Sequence, residues 1–317
     1  MQNTFHMRDL DSITVGTPLL ILGQQYRFVP ILGHPDRVYA EIGRQARIYR
    51  LQIDGGQHQA ALKVFHSAEK AQQLLQESPS LSERVATHFR RDDDLHHIGL
   101  SAARRLVLRP DLFRAIVERF PSLTNAVFMD WIQGESWANV IEDRQTFTAS
   151  SSAWLAHRLS GILVGLESRR LAHCDLSGTN LLFSKQRDKV ELIDLESLYW
   201  PGRSVPLPVP AGTDGYVPTW VQQQGLWGER ADRLSGAILL CEILAWRFKG
   251  IRDIRAGAAY FQSAEFGHRT PRYDAMVAHL AHIHPLLQIL FNRLWFCHDL
   301  NLPSLREWRA SVEASSG

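Results

Sequence analysis

His173-Cys174-Asp175-Leu176-Ser177-Gly178-Thr179-Asn180, continued by Leu181-Leu182-Phe183, is the stretch on which the reading of this chain turns. Fourteen residues after Asn180 stands Asp194, within Leu192-Ile193-Asp194-Leu195-Glu196. Residues 181–183 and 190–193 read as two short strands, so Asp194 ends a strand while Asp175 and Asn180 occupy the loop before the pair. Taken singly, each feature is ordinary: Asp-Leu-Ser commonly caps a helix, and a strand-end Asp commonly solvates a turn. The spacing of the three sets them apart. Asn180 and Asp194 can reach a common cation, and Asp175, five residues before Asn180, can address a hydroxyl.

Working upstream, residues 46–52 and 59–65 are strand-like and flank Asp54-Gly55-Gly56, a hairpin signal. The second run contains Ala60-Ala61-Leu62-Lys63, and the first is preceded by Ile42-Gly43-Arg44-Gln45-Ala46. Helix is expected over 67–77, stopping at Ser78-Pro79-Ser80, and again from Ser82. Residues 125–132 read as a further strand, with Gly134 after it. From Ala153 the pattern becomes helical, with Leu155, Leu159, Ile162, Leu163 and Leu166 on one face. The Pro-rich stretch 201–218 is expected to be loop, and 232–246 a helix apolar nearly all round and therefore buried. Strands first and helices after imply an α+β fold in two lobes.

These motifs together resemble the protein-kinase superfamily of the eukaryotic Ser/Thr type, as a divergent bacterial member. His173 to Asn180 is similar to the catalytic loop H-R-D-L-x-x-x-N, and Asp194 stands at the Asp of D-F-G. Lys63 matches the lysine of V-A-I-K, and Gly43 and Ala46 match the second and third glycines of the nucleotide loop. Gly212-Thr213-Asp214-Gly215-Tyr216-Val217-Pro218 resembles G-T-P-G-Y-x-A-P, and Asp232-Arg233-Leu234-Ser235-Gly236 resembles the start of the helix that braces the catalytic loop. The resemblance spans roughly residues 40–312.

The resemblance implies a small β-rich N-lobe at 31–130 after an extension at 1–30, and a larger helical C-lobe at 131–317. It implies ATP and Mg²⁺ as cofactors. Asp175 would be the catalytic base, Lys63 would orient the α/β-phosphates, and Asn180 and Asp194 would hold metal. Backbone amides near Gly43 and Ala46 would cap phosphates, Ala61 would cover the adenine, and Met129 would be the gatekeeper. The backbone from Asp130 to Ile132 would bind the adenine edge. Glu83 or Glu77 would pair with Lys63.

Departures bear on activity. Cys174 replaces the arginine of H-R-D, and Ser177 replaces a lysine at the γ-phosphate. Leu195-Glu196 replaces Phe-Gly, and Thr219-Trp220 replaces Pro-Glu, so Arg293 must find another partner. Three functions stay open: a protein Ser/Thr kinase, a pseudokinase acting as a nucleotide-binding scaffold, and a small-molecule kinase of the aminoglycoside-phosphotransferase type. Residues 90–121 look like an insertion with a solvated Arg90-Arg91-Asp92-Asp93-Asp94 run. His279, His282 and His284, with His298 nearby, fit no zinc pattern.

Composition is that of a globular protein: 317 residues, 45% hydrophobic and 21% charged, exclude disordered and fibrous classes. A net charge of +2, with no basic stripe, argues against nucleic acid. Cys174, Cys241 and Cys297 form no CxxC pair, which suggests a reducing compartment. The most apolar stretch, 237–244, is interrupted by Glu242 and is far too short for a membrane span. A cytoplasmic protein is expected, with a protein substrate or regulatory partner and no membrane or nucleic-acid partner.

Overall fold

The computed structural model describes residues 13–43, 46–66, 99–297 and 302–315. The expected helices at 67–77 and from Ser82, Glu77, Glu83, the Arg90–Asp94 run and His298 lie outside these. The chain divides into two compact units, 1–90 with 101–132, and 91–100 with 133–317.

The first unit is built on a seven-stranded sheet. Its strands begin with β1 (Pro18–Ile21) and β2 (Gln24–Phe28); a separate hairpin of β3 (Pro30–Ile31) and β4 (His34–Val38) follows. Then come β5 (Ala40–Ile42), β6 (Ala46–Ile53), β7 (Gln59–Phe65) and β8 (Arg105–Val107), a short helix α1 (Arg114–Arg119), and β9 (Val127–Asp130). The order is β1-β2-β6-β7-β9-β8, with β5 also pairing β6. The expected hairpin forms as β6–β7, from Ala46↔Phe65 to Gln52↔Gln59. Its turn needs a left-handed residue, and Gly55 supplies one at φ +69°. Residues 18–28, expected as an extension, pair into the same sheet through Phe28↔Leu51. Part of the expected insertion is likewise sheet: Arg105, Leu106 and Val107 pair with Met129, Phe128 and Val127. A three-residue strand is too short to show a period, which is why the sequence does not reveal it.

Residues directly opposite on neighbouring strands share a face. Tyr49, Leu51, Ala60, Leu62 and Val64 turn to one side, with Leu19, Ile21, Tyr26 and Phe28, and form the unit's main core. The opposite face carries Ile48↔Lys63↔Val127 and, one row along, Arg50↔Ala61↔Met129. Alternation therefore puts the apolar set on one side and the site candidates on the other.

The second unit is mostly helical. A three-stranded sheet of β10 (Glu135–Ser136), β11 (Leu181–Ser184) and β12 (Lys189–Leu192) encloses, in sequence, α2 (Trp137–Glu142) and α3 (Ala149–Ser168). After it come α4 (Thr219–Gln224), α5 (Asp232–Ala245), α6 (Lys249–Asp253), α7 (Pro271–Ile283), α8 (Pro285–Trp295) and α9 (Leu305–Ala314). Helix α3 starts where Thr148 accepts a hydrogen bond from Ser151 N, and the expected leucine and isoleucine stripe is buried. It packs on α5 and α9. Helix α5 is buried along nearly its whole length, as its all-round apolar sequence requires. An aromatic cluster of Phe261, Phe266, Tyr273, Phe291 and Trp295 joins α7 and α8. Among the described residues no helix is long and apolar enough to cross a membrane.

Candidate active site

The loop between α3 and β11 is fixed by a fully buried carboxylate. Asp232, in the first turn of α5, accepts the backbone N–H of His173 at 2.6 Å and of Cys174 at 2.9 Å. Burial pushes the Asp232 carboxyl above its ordinary range, and these two amides pull the other way. His173 Nδ1 accepts from Asp175 N at 3.3 Å, so its Nε2 carries the hydrogen and donates to Ile193 O at 2.8 Å. One ring thus ties the loop to the residue before Asp194. Cys174, at φ +64°, buries its thiol toward Ala172 O and Gly228 O, and burial pushes that thiol upward.

Asp175 is part-exposed, and its Oδ1 accepts from Thr213 Oγ1 at 3.1 Å. Asn180 is buried and donates from Nδ2 to Asp175 O at 2.8 Å, while its own carbonyl accepts Ile193 N at 3.0 Å. That use of Nδ2 turns the amide oxygen into the atom with acceptor capacity to spare. Asp194 is exposed and left-handed, at φ +63° and ψ +57°, two residues past the end of β12. The structure thereby ties Asp175, Asn180 and the Asp194 segment into one hydrogen-bonded unit. Ser177 is fully buried and faces Thr179 Oγ1 at 2.9 Å. Gly178 follows because a Cβ there would meet Tyr216 Oη at 2.7 Å and Ala138 N at 3.0 Å.

The segment 195–218 is held by contacts the sequence does not announce. Arg203 donates to Leu198 O and, at 2.9 Å, to Glu196 O, and lies over Trp200 at 4.6 Å and Trp227 at 5.2 Å. Gly215 N donates to Ser263 Oγ at 3.1 Å, and Tyr216 Oη donates to the buried Glu242. Glu242 also accepts Trp137 Nε1 and Tyr260 N; burial dominates those bonds and its carboxyl is pushed up to about 7. Arg293 pairs with Glu307 at 3.0 Å in place of a partner at 219–220. The three histidines have local roles. His279 stacks on Phe248 at 4.3 Å, His282 meets the same ring edge-on, and His284 caps α8. Among the described residues no group of three or more His, Cys, Asp or Glu is placed to hold a metal.

In the first unit, Lys63 is buried on β7 between Ile48 and Val127, with Nζ 5.5 Å from the Phe65 ring centroid. Ala61 is buried one row along, opposite Met129. Gly43 and Ala46 close the β5–β6 connection through Gly43 N→Ala46 O at 2.9 Å, and His66 Nε2 lies 2.9 Å from Gly43 O. Asp130 ends β9 beside His58 at 3.4 Å and Arg104 at 4.0 Å, and Ile132 is the last residue before the second unit begins. Sequence reasoning missed Arg50, Thr213 as the partner of Asp175, and Arg203. Only Thr213 had a signal, its place in Gly212-Thr213.

No family model matches this sequence, and no curated protein matches it. The structure is similar to that of vaccinia related kinase 3, with a TM-score of 0.54 and 14% identity, over 97% of this chain and 95% of that one. Many other solved chains match as well. The likeness shows a protein-kinase-like fold.

Proposed function

We propose that this protein transfers the γ-phosphoryl group of Mg–ATP to a Ser or Thr hydroxyl of a protein substrate. The observation that carries the reading is the network Asp232–His173–Asp175–Thr213–Asn180, which orients one carboxylate from several sides. With Oδ1 of Asp175 accepting from Thr213, Oδ2 is the oxygen that takes the acceptor hydroxyl's proton. Asn180 and Asp194 offer hard oxygen donors of the kind Mg²⁺ accepts while it keeps several waters. That ion, when bound, would neutralise charge on the β- and γ-phosphates. Lys63 supplies a fixed cation for the α/β-phosphates, the amides around Gly43 and Ala46 cap them, and Ala61, Met129 and the Asp130–Ile132 backbone hold the base. Phosphoryl transfer asks the protein for positioning and charge, and these side chains supply both.

A second reading, a nucleotide-binding pseudokinase, draws on Ser177, which is buried against Thr179 where the family carries a γ-phosphate lysine. Calorimetry with Mg–ATP, run beside transfer of labelled γ-phosphate to the protein itself and to a mixture of protein acceptors, separates the two. Binding with transfer supports the kinase; binding without transfer supports the scaffold. Labelling of sugars or aminoglycosides instead of proteins would favour a small-molecule kinase.

A further inference from the structure

Resting on the nucleotide reading of the first unit, the row of the sheet that carries Ala61 and Met129 also carries an arginine. Arg50 stands directly opposite Ala61, and Ala61 directly opposite Met129, so the three side chains share the face and the row assigned to the base. The Arg50 guanidinium is pinned there, 5.3 Å from the Trp131 ring centroid and 5.8 Å from that of Tyr39. The two rings meet each other edge-on at 5.6 Å. Nη2 donates to Gln59 Oε1 at 2.8 Å, while Nε is buried and has no hydrogen-bond partner among the described residues. Trp131 lies within the 130–132 backbone that faces the base edge, and its own N–H is taken by Gln59 O at 3.1 Å.

We infer that Arg50 is a base-reading residue and that the site accepts a 6-oxopurine nucleotide such as GTP at least as tightly as ATP. The chemistry is that of the edge. Adenine places the N6 amine, a donor, beside N7; guanine places O6 there, so its edge shows two adjacent acceptors. A fixed guanidinium fork carries only donors and matches that pair with two parallel bonds. Against adenine the same fork meets one acceptor and one donor.

The test is calorimetric titration of Mg–ATP and Mg–GTP into wild type, Arg50→Met and Arg50→Lys, with Trp131 emission recorded in parallel. Wild type should bind GTP no more weakly than ATP. Both variants should lose about tenfold in GTP affinity and less than about threefold in ATP affinity, because neither side chain offers the fork. Thermal unfolding of each variant shows that it is folded, and a variant that fails to fold is replaced by Gln59→Leu, which frees the fork from its anchor and should erode the same preference. Wild type favouring ATP by more than about twofold, or a variant weakening both nucleotides equally, overturns this inference and leaves the nucleotide reading standing. Failure of wild type to bind either nucleotide overturns both.

Discussion

The second unit's loop from His173 to Asn180 and the first unit's strand from Gln59 to Phe65 carry the same share of the proposed chemistry but are held in different ways. The loop has no regular ladder. Its shape depends on a few buried polar bonds, two of them to Asp232 and two to the ring of His173. The strand is held by backbone pairing on both sides, and Lys63 and Ala61 only project from it. The difference predicts where function and stability separate. In the loop, removing a positioning group removes the fold around it; on the strand, a side chain can change while the backbone stays.

The largest effect expected from breaking this contrast is at Asp232. Asp232→Ala leaves two buried N–H groups without acceptors and should cost about 3 kcal/mol in urea unfolding. Lys63→Met, on the strand, should cost less than about 1 kcal/mol while weakening Mg–ATP binding. Equal losses of stability would erase the distinction.

The next effect is a pH dependence at Glu242. Its folded carboxyl is pushed up to about 7, above the value near 4.5 of an unfolded chain. The contribution to stability is therefore fully present below about 4.5 and lost as pH rises through about 7, amounting to about 3 kcal/mol across that window. Urea midpoints for wild type should fall between pH 5 and pH 8, and Glu242→Gln should flatten the profile. A wild-type profile that rises over that range would contradict the assignment.

Arg203→Ala comes third. It removes two bonds to loop carbonyls and a contact with Trp200 and Trp227, worth about 1–2 kcal/mol locally. Hydrogen exchange over 196–211 should quicken while global stability hardly moves. Unchanged exchange would show that Arg203 does not hold the segment. Smallest is Arg293→Ala, whose pair with Glu307 is half-exposed on both sides and should shift stability by less than about 0.5 kcal/mol.

What the sequence disclosed follows the same division. The β6–β7 hairpin, the α3 stripe and the buried α5 each announce themselves within a dozen or so residues, because a period or a turn residue is local. The Asp175, Asn180 and Asp194 spacing is local too. Hidden were features that need partners far along the chain: β8 pairing with β9 across about twenty residues, β1 and β2 joining the sheet, and Thr213 reaching Asp175. Arg50 is the sharpest case, since nothing in its neighbours in sequence distinguishes a solvated strand arginine from one clasped by Tyr39 and Trp131.

The central claim is that Asp175 acts on the acceptor hydroxyl and that the nucleotide is held by other groups. It is tested most directly by comparing wild type with Asp175→Asn in Mg–ATP calorimetry and in labelled phosphoryl transfer on the same preparations. The account predicts ATP affinity within about twofold of wild type and transfer reduced at least about a hundredfold. Transfer by wild type no greater than by Asp175→Asn, with ATP still bound, would contradict it and leave Lys63 and Asp194 with the holding of a ligand alone.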